Sequence, residues 1–500
     1  MLGVTRRLPA IAILAAAVLA VSAGSGGASG TAGCPGSTLV CTLADPEGIG
    51  VLQAGSAEPL QSRTDLAPAG RVVRTLAVFA QISDAHVTDE ESPLRVEVID
   101  PLGGKVSSAF RPQESLTAQV LAATEVSVNA LKPSFVLETG DLIDNAQGNE
   151  LGWALRILHG GRVHPDSGAP GYEGVQSASA TDPLLYRPEV DAPRHPGLLA
   201  AAQRAFIAPG LRAPWYPLIS NHELLVQGVV PADAQLTRIA TGDRKLTDPS
   251  IAGLALARRG TLDRRALISL LDSGRAGSSI AVAPDPARAP MAPGVAVRRI
   301  AAAAGIGSQA SLLGQGLLAY VRTVAPGVVL IGLDTADRAG GAGGVMPPIE
   351  RAWLARQLRA HAGAHLLIAS PTPLEDTRGG AAVLRMLDQT PGVVAVLAGD
   401  THRSLITARH TPSGGYWLVR APSLADYPQQ ARAFQLVALA DGRVALATWM
   451  LDQAGDARGP GYLGLAGISR DLAFLDFQGG RPRALEGGRS DRNELLYLPA

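Results

Sequence analysis

The feature that most constrains this chain is residues 77–86, AVFAQISDAH, where a short apolar, β-prone stretch stops on Ser83, Asp84 and His86. A buried strand of this kind delivers a carboxylate and an imidazole at its carboxyl end, the edge where open α/β sheets place their chemistry. Asp and His two residues apart at a strand tip can turn toward one point, offering an oxygen and a nitrogen to a borderline divalent metal. Alone the pair is a weak signal, because an Asp in a loop beside an incidental His is common. Its weight comes from repetition.

Three later strand-like runs end the same way. Residues 134–139 run into Gly140-Asp141-Leu142-Ile143-Asp144, and Gly140 allows a turn sharp enough to bring Asp141 to a metal. Residues 215–219 end in Ser220-Asn221-His222-Glu223, an amide oxygen suited to a hard cation beside an imidazole able to donate a proton. Residues 393–398 end in Gly399-Asp400-Thr401-His402. Helical spacing is predicted over 114–131, stopped by Lys132-Pro133, and over 349–361, with Trp353, Leu354 and Leu358 on one face. Further strands are predicted at 327–335, 366–370 and 416–420, and as a hairpin of 434–440 with 444–449 turned at Asp441-Gly442. Strands alternating with helices make a layered α/β protein.

Hydrophobic residues are 46% of the chain but aromatics only 4%, so the core must be built mainly from Ala, Val, Leu and Ile. The 44 basic and 44 acidic side chains cancel, and no long basic run is present. That argues against a nucleic-acid or membrane-surface partner. Nothing in the sequence marks an oligomeric state.

Residues 1–24 carry Arg6 and Arg7, then an apolar run over 11–21, then small residues, the pattern of a signal peptide. The run is too short for a membrane span and lacks a stop-transfer flank, so the exported chain is expected to be secreted or held in the cell envelope, with no span. Losing two arginines would leave it near net −2 (0 minus 2). Thr5-Arg6-Arg7-Leu8 loosely fits a twin-arginine signal, leaving that route and the general one both open. Cys34 and Cys41, the only cysteines, are expected to pair, adding roughly 2–3 kcal/mol by loop entropy. Residues 25–70 are expected to be a Gly/Ser/Pro-rich linker, 71–450 the functional domain with insertions at about 148–214 and 224–320, and 451–500 a C-terminal extension. The insertions could wall a substrate pocket.

In their order, Asp84-Ala85-His86, Gly140-Asp141-Leu142-Ile143-Asp144, Ser220-Asn221-His222-Glu223 and Gly399-Asp400-Thr401-His402 resemble the calcineurin-like metallophosphoesterase superfamily. That family's pattern is D-x-H, G-D-x-x-D, G-N-H-[DE], a separate His, and G-H-x-H. The resemblance spans about 71–449 and implies a four-layer αββα sandwich with two metals at one edge. By motif position Asp84, His86, Asp141 and His402 would hold the first metal, with Asp141 bridging to a second bound by Asn221. His222 would be the proton donor or transition-state stabiliser, oriented by Asp144 or another nearby carboxylate.

The chain departs from the pattern at Ser220, at Asp400 and at Ser370-Pro371-Thr372-Pro373, where the separate His is missing. Both missing imidazoles belong to the second metal. Asp400 can still ligate and would favour Mn²⁺ or Mg²⁺ over Zn²⁺, and Glu375 or Asp376 could reach in. The other histidines, 159, 164, 195, 361, 365 and 410, read as structural or solvated. The expectation is a secreted phosphoesterase acting on a phosphomonoester or phosphodiester through metal-activated water, with two divalent ions (Mn, Mg, Fe or Zn), the second weak. The alternative is a degenerate, non-catalytic extracellular binding protein keeping one structural metal.

Overall fold

The computed structural model describes residues 34, 36–97, 110–180, 182, 184–247, 263–271, 279–412, 414–476 and 485–500. Residues 1–24, expected to be the signal peptide, lie outside the described residues. In chain order the strands of the two main sheets are β1 (Gly36–Ser37), β2 (Gln61–Arg63), β3 (Val72–Ile82), β4 (Phe135–Glu138), β5 (Trp215–Pro217), β6 (Tyr320–Ala325) and β7 (Val328–Gly332). There follow β8 (His365–Ser370), β9 (Val393–Ala398), β10 (Leu405–Thr411), β11 (Gly414–Arg420), β12 (Gln430–Leu439), β13 (Val444–Asp452) and β14 (Glu494–Tyr497).

The first sheet runs β2-β14-β13-β12-β3-β4-β5, with β1 paired to β13, and the second runs β6-β7-β8-β9-β11-β10. β3, β4 and β5 are mutually parallel, as are β7, β8, β9 and β11. Their carboxyl ends therefore define one edge in each sheet. Phe79 on β3 stacks on Phe135 of β4 at 4.8 Å and on Phe434 of β12 at 4.7 Å, a cross-strand ladder that pins the register.

The second sheet shows its two faces in the sequence. Leu330, Leu367, Ala369, Ala395, Leu397, Trp417 and Val419 enter the large core shared with the first sheet. Their neighbours Val329, Ile331, Leu366, Ile368, Val396, Tyr416 and Leu418 enter a separate core, alternating as the pleat requires. That separate core is closed by α3 (Pro348–Ala360), through Trp353, Leu354 and Leu358, and by α4 (Gly380–Leu387), through Val383, Leu384 and Leu387. On the outside of the first sheet lie α1 (Thr117–Leu131) and α2 (Gly148–His159). The layers are helix, sheet, sheet, helix: an α/β sandwich of αββα type.

Several segments behave differently from their sequence reading. Residues 148–159 form α2, whose Leu151, Ala154, Ile157 and Leu158 belong to the main core. The segment read as a linker contributes β1 and β2 to the first sheet, and the segment beyond 451 contributes β14, which pairs with β13 and β2. It also supplies α5 (Gly461–Leu475), which packs on α1. Cys34 and Cys41 form a disulfide. Among the described residues, no helix is long and apolar enough to cross a membrane.

Candidate metal centre

Every motif lies just past the carboxyl end of a parallel strand: Asp84 and His86 after β3, Asp141 and Asp144 after β4, Asn221 and His222 after β5, Asp400 and His402 after β9. The sheets are tied together there by Gln81, whose amide donates to the Ala398 carbonyl at 3.1 Å and to Thr139 Oγ1 at 3.0 Å. The loops after β3 and β4 continue side by side, with the amides of Asp84 and His86 donating to the carbonyls of Gly140 and Asp141. Glu223 locks the next loop to them, its carboxylate accepting from the amides of Ser220 at 2.8 Å and Leu142 at 2.6 Å. Burial, and then Asp141, push the Glu223 carboxyl up to about 7.

Asp84, His86, Asp141, Asp400 and His402 all have positive φ, between 42° and 67°. Residues with side chains rarely adopt this backbone, and it persists only where surroundings enforce it, typically at functional sites. Glycine is needed at the close approaches: a Cβ on Gly399 would lie 2.1 Å from Ser83 Oγ and 2.9 Å from Asp84 Oδ2.

Two groups of donors come within 4.8 Å of one another, Asp84 with His86 and His402, and His86 with Asp141 and His222. His86 Nε2 and His402 Nε2 are 3.1 Å apart, and His402 Nε2 is 3.5 Å from Asp84 Oδ1. Behind each imidazole stands a carboxylate. His86 Nδ1 meets Asp144 Oδ1 at 3.2 Å, and His402 Nδ1 is hydrogen-bonded to Asp426. Behind each carboxylate stands an arginine, Arg95 at 3.6 Å from Asp144 and Arg111 at 2.5 Å from Asp426.

This arrangement fits a bound cation. With each Nδ1 hydrogen taken by a carboxylate, the two Nε2 lone pairs face each other and repel unless a positive ion sits between them. Burial, and then His222, lower the His86 pKa to about 4, so its lone pair is available at neutral pH. Asp84 and Asp400 are both held well above the usual carboxylate range, first by burial and then by the charge of Asp141, a surplus of negative charge that a cation would relieve.

Not every expected residue takes the expected part. The Asp144 carboxylate serves His86, whereas His222 Nδ1 donates to the Asp144 carbonyl at 2.6 Å; the Asp144 carboxylate is 3.9 Å away. The Asn221 oxygen accepts from Ser220 Oγ and its amide donates to the Gly228 carbonyl, each at 2.9 Å, which leaves one lone pair on that oxygen. Asp400 belongs to neither donor group, although its backbone amide donates to Asp84 Oδ1 at 3.0 Å. The Glu375 and Asp376 carboxylates turn to Arg420, at 3.3 and 3.0 Å.

Asp426 was not singled out in the sequence. It follows β11 by six residues, in a loop docked on the first motif by Ser423 Oγ, which donates to the Asp84 carbonyl at 2.9 Å. The only signal for it is an acid shortly past the end of a parallel strand.

No protein-family model matches the sequence, and no curated protein matches it. Among solved structures, a dimetal phosphatase from Danio rerio superposes over 76% of this chain and 97% of its own, with 12% identity and a TM-score of 0.39. The sulfate thiohydrolase SoxB of Thermus thermophilus superposes over 82% of this chain and 61% of its own, with 13% identity and a TM-score of 0.30.

Proposed function

We propose that this chain is an exported metal-dependent hydrolase of phosphoric esters. The observation that carries the reading is the pair of imidazole nitrogens 3.1 Å apart beside Asp84, each fixed from behind by its own carboxylate. When bound there, a divalent metal supplies Lewis-acid polarisation of the ester oxygens and an acidified water. Asp84, His86, Asp141 and His402 would hold it. Manganese or magnesium suits the carboxylate-rich part of the cluster, and the imidazoles keep zinc and iron in range.

The chain's own residues supply the rest. His222 donates its Nδ1 hydrogen to the Asp144 carbonyl and the His222 amide donates to Asp141 Oδ1 at 3.0 Å, which leaves Nε2 as the nitrogen able to carry a proton to a leaving oxygen. Gly228 lies over that nitrogen, so closely that a Cβ there would be 2.3 Å from it. The Cys34–Cys41 disulfide suits an oxidising destination, in keeping with the signal-like residues 1–24.

The test is hydrolysis of p-nitrophenyl phosphate and bis-p-nitrophenyl phosphate by the mature protein with added Mn²⁺. Activity lost by two orders of magnitude or more in Asp141→Ala and His222→Ala is expected. The competing reading, a non-catalytic extracellular binding protein with one metal, is favoured by the absence of an imidazole at Ser370 and Asp400. Metal-loaded protein inert toward both esters would decide for it.

A further inference from the structure

The two sides of the centre are not equivalent. On the β3 and β9 side, two imidazoles converge with carboxylates behind them. On the β8 side the strand ends in Ser370, whose hydroxyl is spent, donating to the Thr372 carbonyl at 2.7 Å and lying 3.1 Å from Thr335 Oγ1. Asn221 offers only one oxygen, which already accepts from Ser220 Oγ and so keeps a single lone pair, while its amide donates to the Gly228 carbonyl. What this side does carry is a guanidinium. Arg420 is the last residue of β11 and sits in register with Ala398, two residues before Asp400.

Its side chain is 18% exposed and lies between Glu375 and Asp376 in the loop that follows β8. Arg420 therefore ends its strand at the same sheet edge as Asp400 and His402, which follow β9. Glu375 and Asp376 are 32% and 52% exposed, so their ion pairs with Arg420 are partly solvated and weakly held. A planar fork of donors on such weak tethers can turn to a tetrahedral oxyanion, which it matches better than carboxylates at an exposed rim do.

We infer that Arg420 stands in for a second metal: the centre takes one divalent ion, and the Arg420 guanidinium binds the free oxygens of the substrate's phosphoryl group. This rests on the function proposed above and specifies how its charge is supplied. Arg420 is thereby assigned as a substrate-binding residue.

The experiment uses the full mature chain, stripped with chelator, reloaded with Mn²⁺ and desalted. Elemental analysis is expected to give one manganese per chain, with the electron paramagnetic resonance signal of an isolated ion. Two ions per chain with a spin-coupled signal would overturn the inference and leave the hydrolase reading standing; no metal retained after reloading with manganese, magnesium, zinc or iron in turn would overturn both. Independently, inorganic phosphate is titrated into the loaded protein and the Arg420→Gln and Arg420→Lys variants. Affinity is expected to fall at least about tenfold in Arg420→Gln and less in Arg420→Lys, which keeps the charge but loses the fork, with manganese affinity unchanged in both. Phosphate binding equal to the parent's in Arg420→Gln would sink the proposal even with one metal bound.

Discussion

At the scale of single residues, the centre combines unfavourable backbone with unfavourable charge, and both find their reason in a cation. Five of its residues hold positive φ, and Asp84, Asp141 and Asp400 repel one another in a buried corner. The carboxylates behind the imidazoles should matter nearly as much as the ligands. Asp426 is held well below the usual carboxylate range by Arg111 and His402, despite its burial, so it stays ionised and keeps the His402 hydrogen on Nδ1. Asp426→Ala is expected to weaken Mn²⁺ binding by about 10–100-fold in calorimetric titration. Equal affinities in variant and parent would remove Asp426 from the centre. The neighbouring residues proposed as ligands are legible because each sits in a dense polar motif at the end of an apolar run. Asp426 was not, because its loop, Ser423-Leu424-Ala425-Asp426, has no such punctuation and finds its partner only through the fold.

At the scale of elements, legibility followed burial and length. β9, with every residue buried, was readable to its limits at 393–398. β10, LITARHT, is an edge strand with a mostly polar, half-exposed face, which reads as a loop. α5 contains Gly461, Gly464 and Gly467 within GYLGLAGISRDLAFL, a composition that argues against a helix. Tertiary contact overrides it: a Cβ on Gly464 or Gly467 would lie 2.1 Å from backbone atoms of residues 457–459. α1, which α5 covers, carries a buried acid of its own. Burial pushes the Glu125 carboxyl from 4.5 up to about 9, offset in part by the Gly210 amide that donates to it at 3.0 Å. A raised carboxyl pKa means the folded state holds the proton more tightly, so the stability it lends is full below 4.5 and is lost as pH rises through about 9. Glu125→Gln keeps an acceptor for Gly210 without the charge. Its melting temperature is expected to match the parent's near about pH 4.5 and to exceed it at about pH 8, by the equivalent of a few kcal/mol, since each tenfold gain in proton affinity on folding is worth about 1.4 kcal/mol. Parallel melting curves across that range would show that Glu125 is not forced to stay protonated.

At the scale of the whole molecule, the chain's outer segments are woven into the sandwich, and this is where sequence pattern carried least. Two-residue and three-residue strands such as β1 and β2 have no periodicity to read, and β14 is defined by its partners. The region beyond Glu223 has a small core of its own, in which Val226, Val230, Leu236, Leu246, Leu267 and Leu270 pack on Leu94 and Val96. Leu94 and Val96 belong to the segment leaving the Asp84-Ala85-His86 motif, so this second core presses on the centre's own loop. One buried ion pair fastens the two: Lys245 Nζ lies 2.7 Å from Glu97 Oε1, both side chains fully buried, and donates to the Ser92 carbonyl at 2.9 Å. Removing the lysine leaves a buried carboxylate without its counter-charge, a change that costs about 3–5 kcal/mol in comparable pairs. The main sandwich shares few of those contacts, so the loss should fall on the second core and spare the sheets. Lys245→Ala is therefore expected to open residues 224–247 and 263–271 to limited proteolysis while a protected sandwich fragment survives. It should also slow the hydrolysis proposed here more than it weakens manganese binding, because Arg95, which stands behind Asp144, lies between the two anchored ends, Leu94 and Val96. Cleavage spread evenly over the whole chain would show instead that sandwich and second core unfold as one unit.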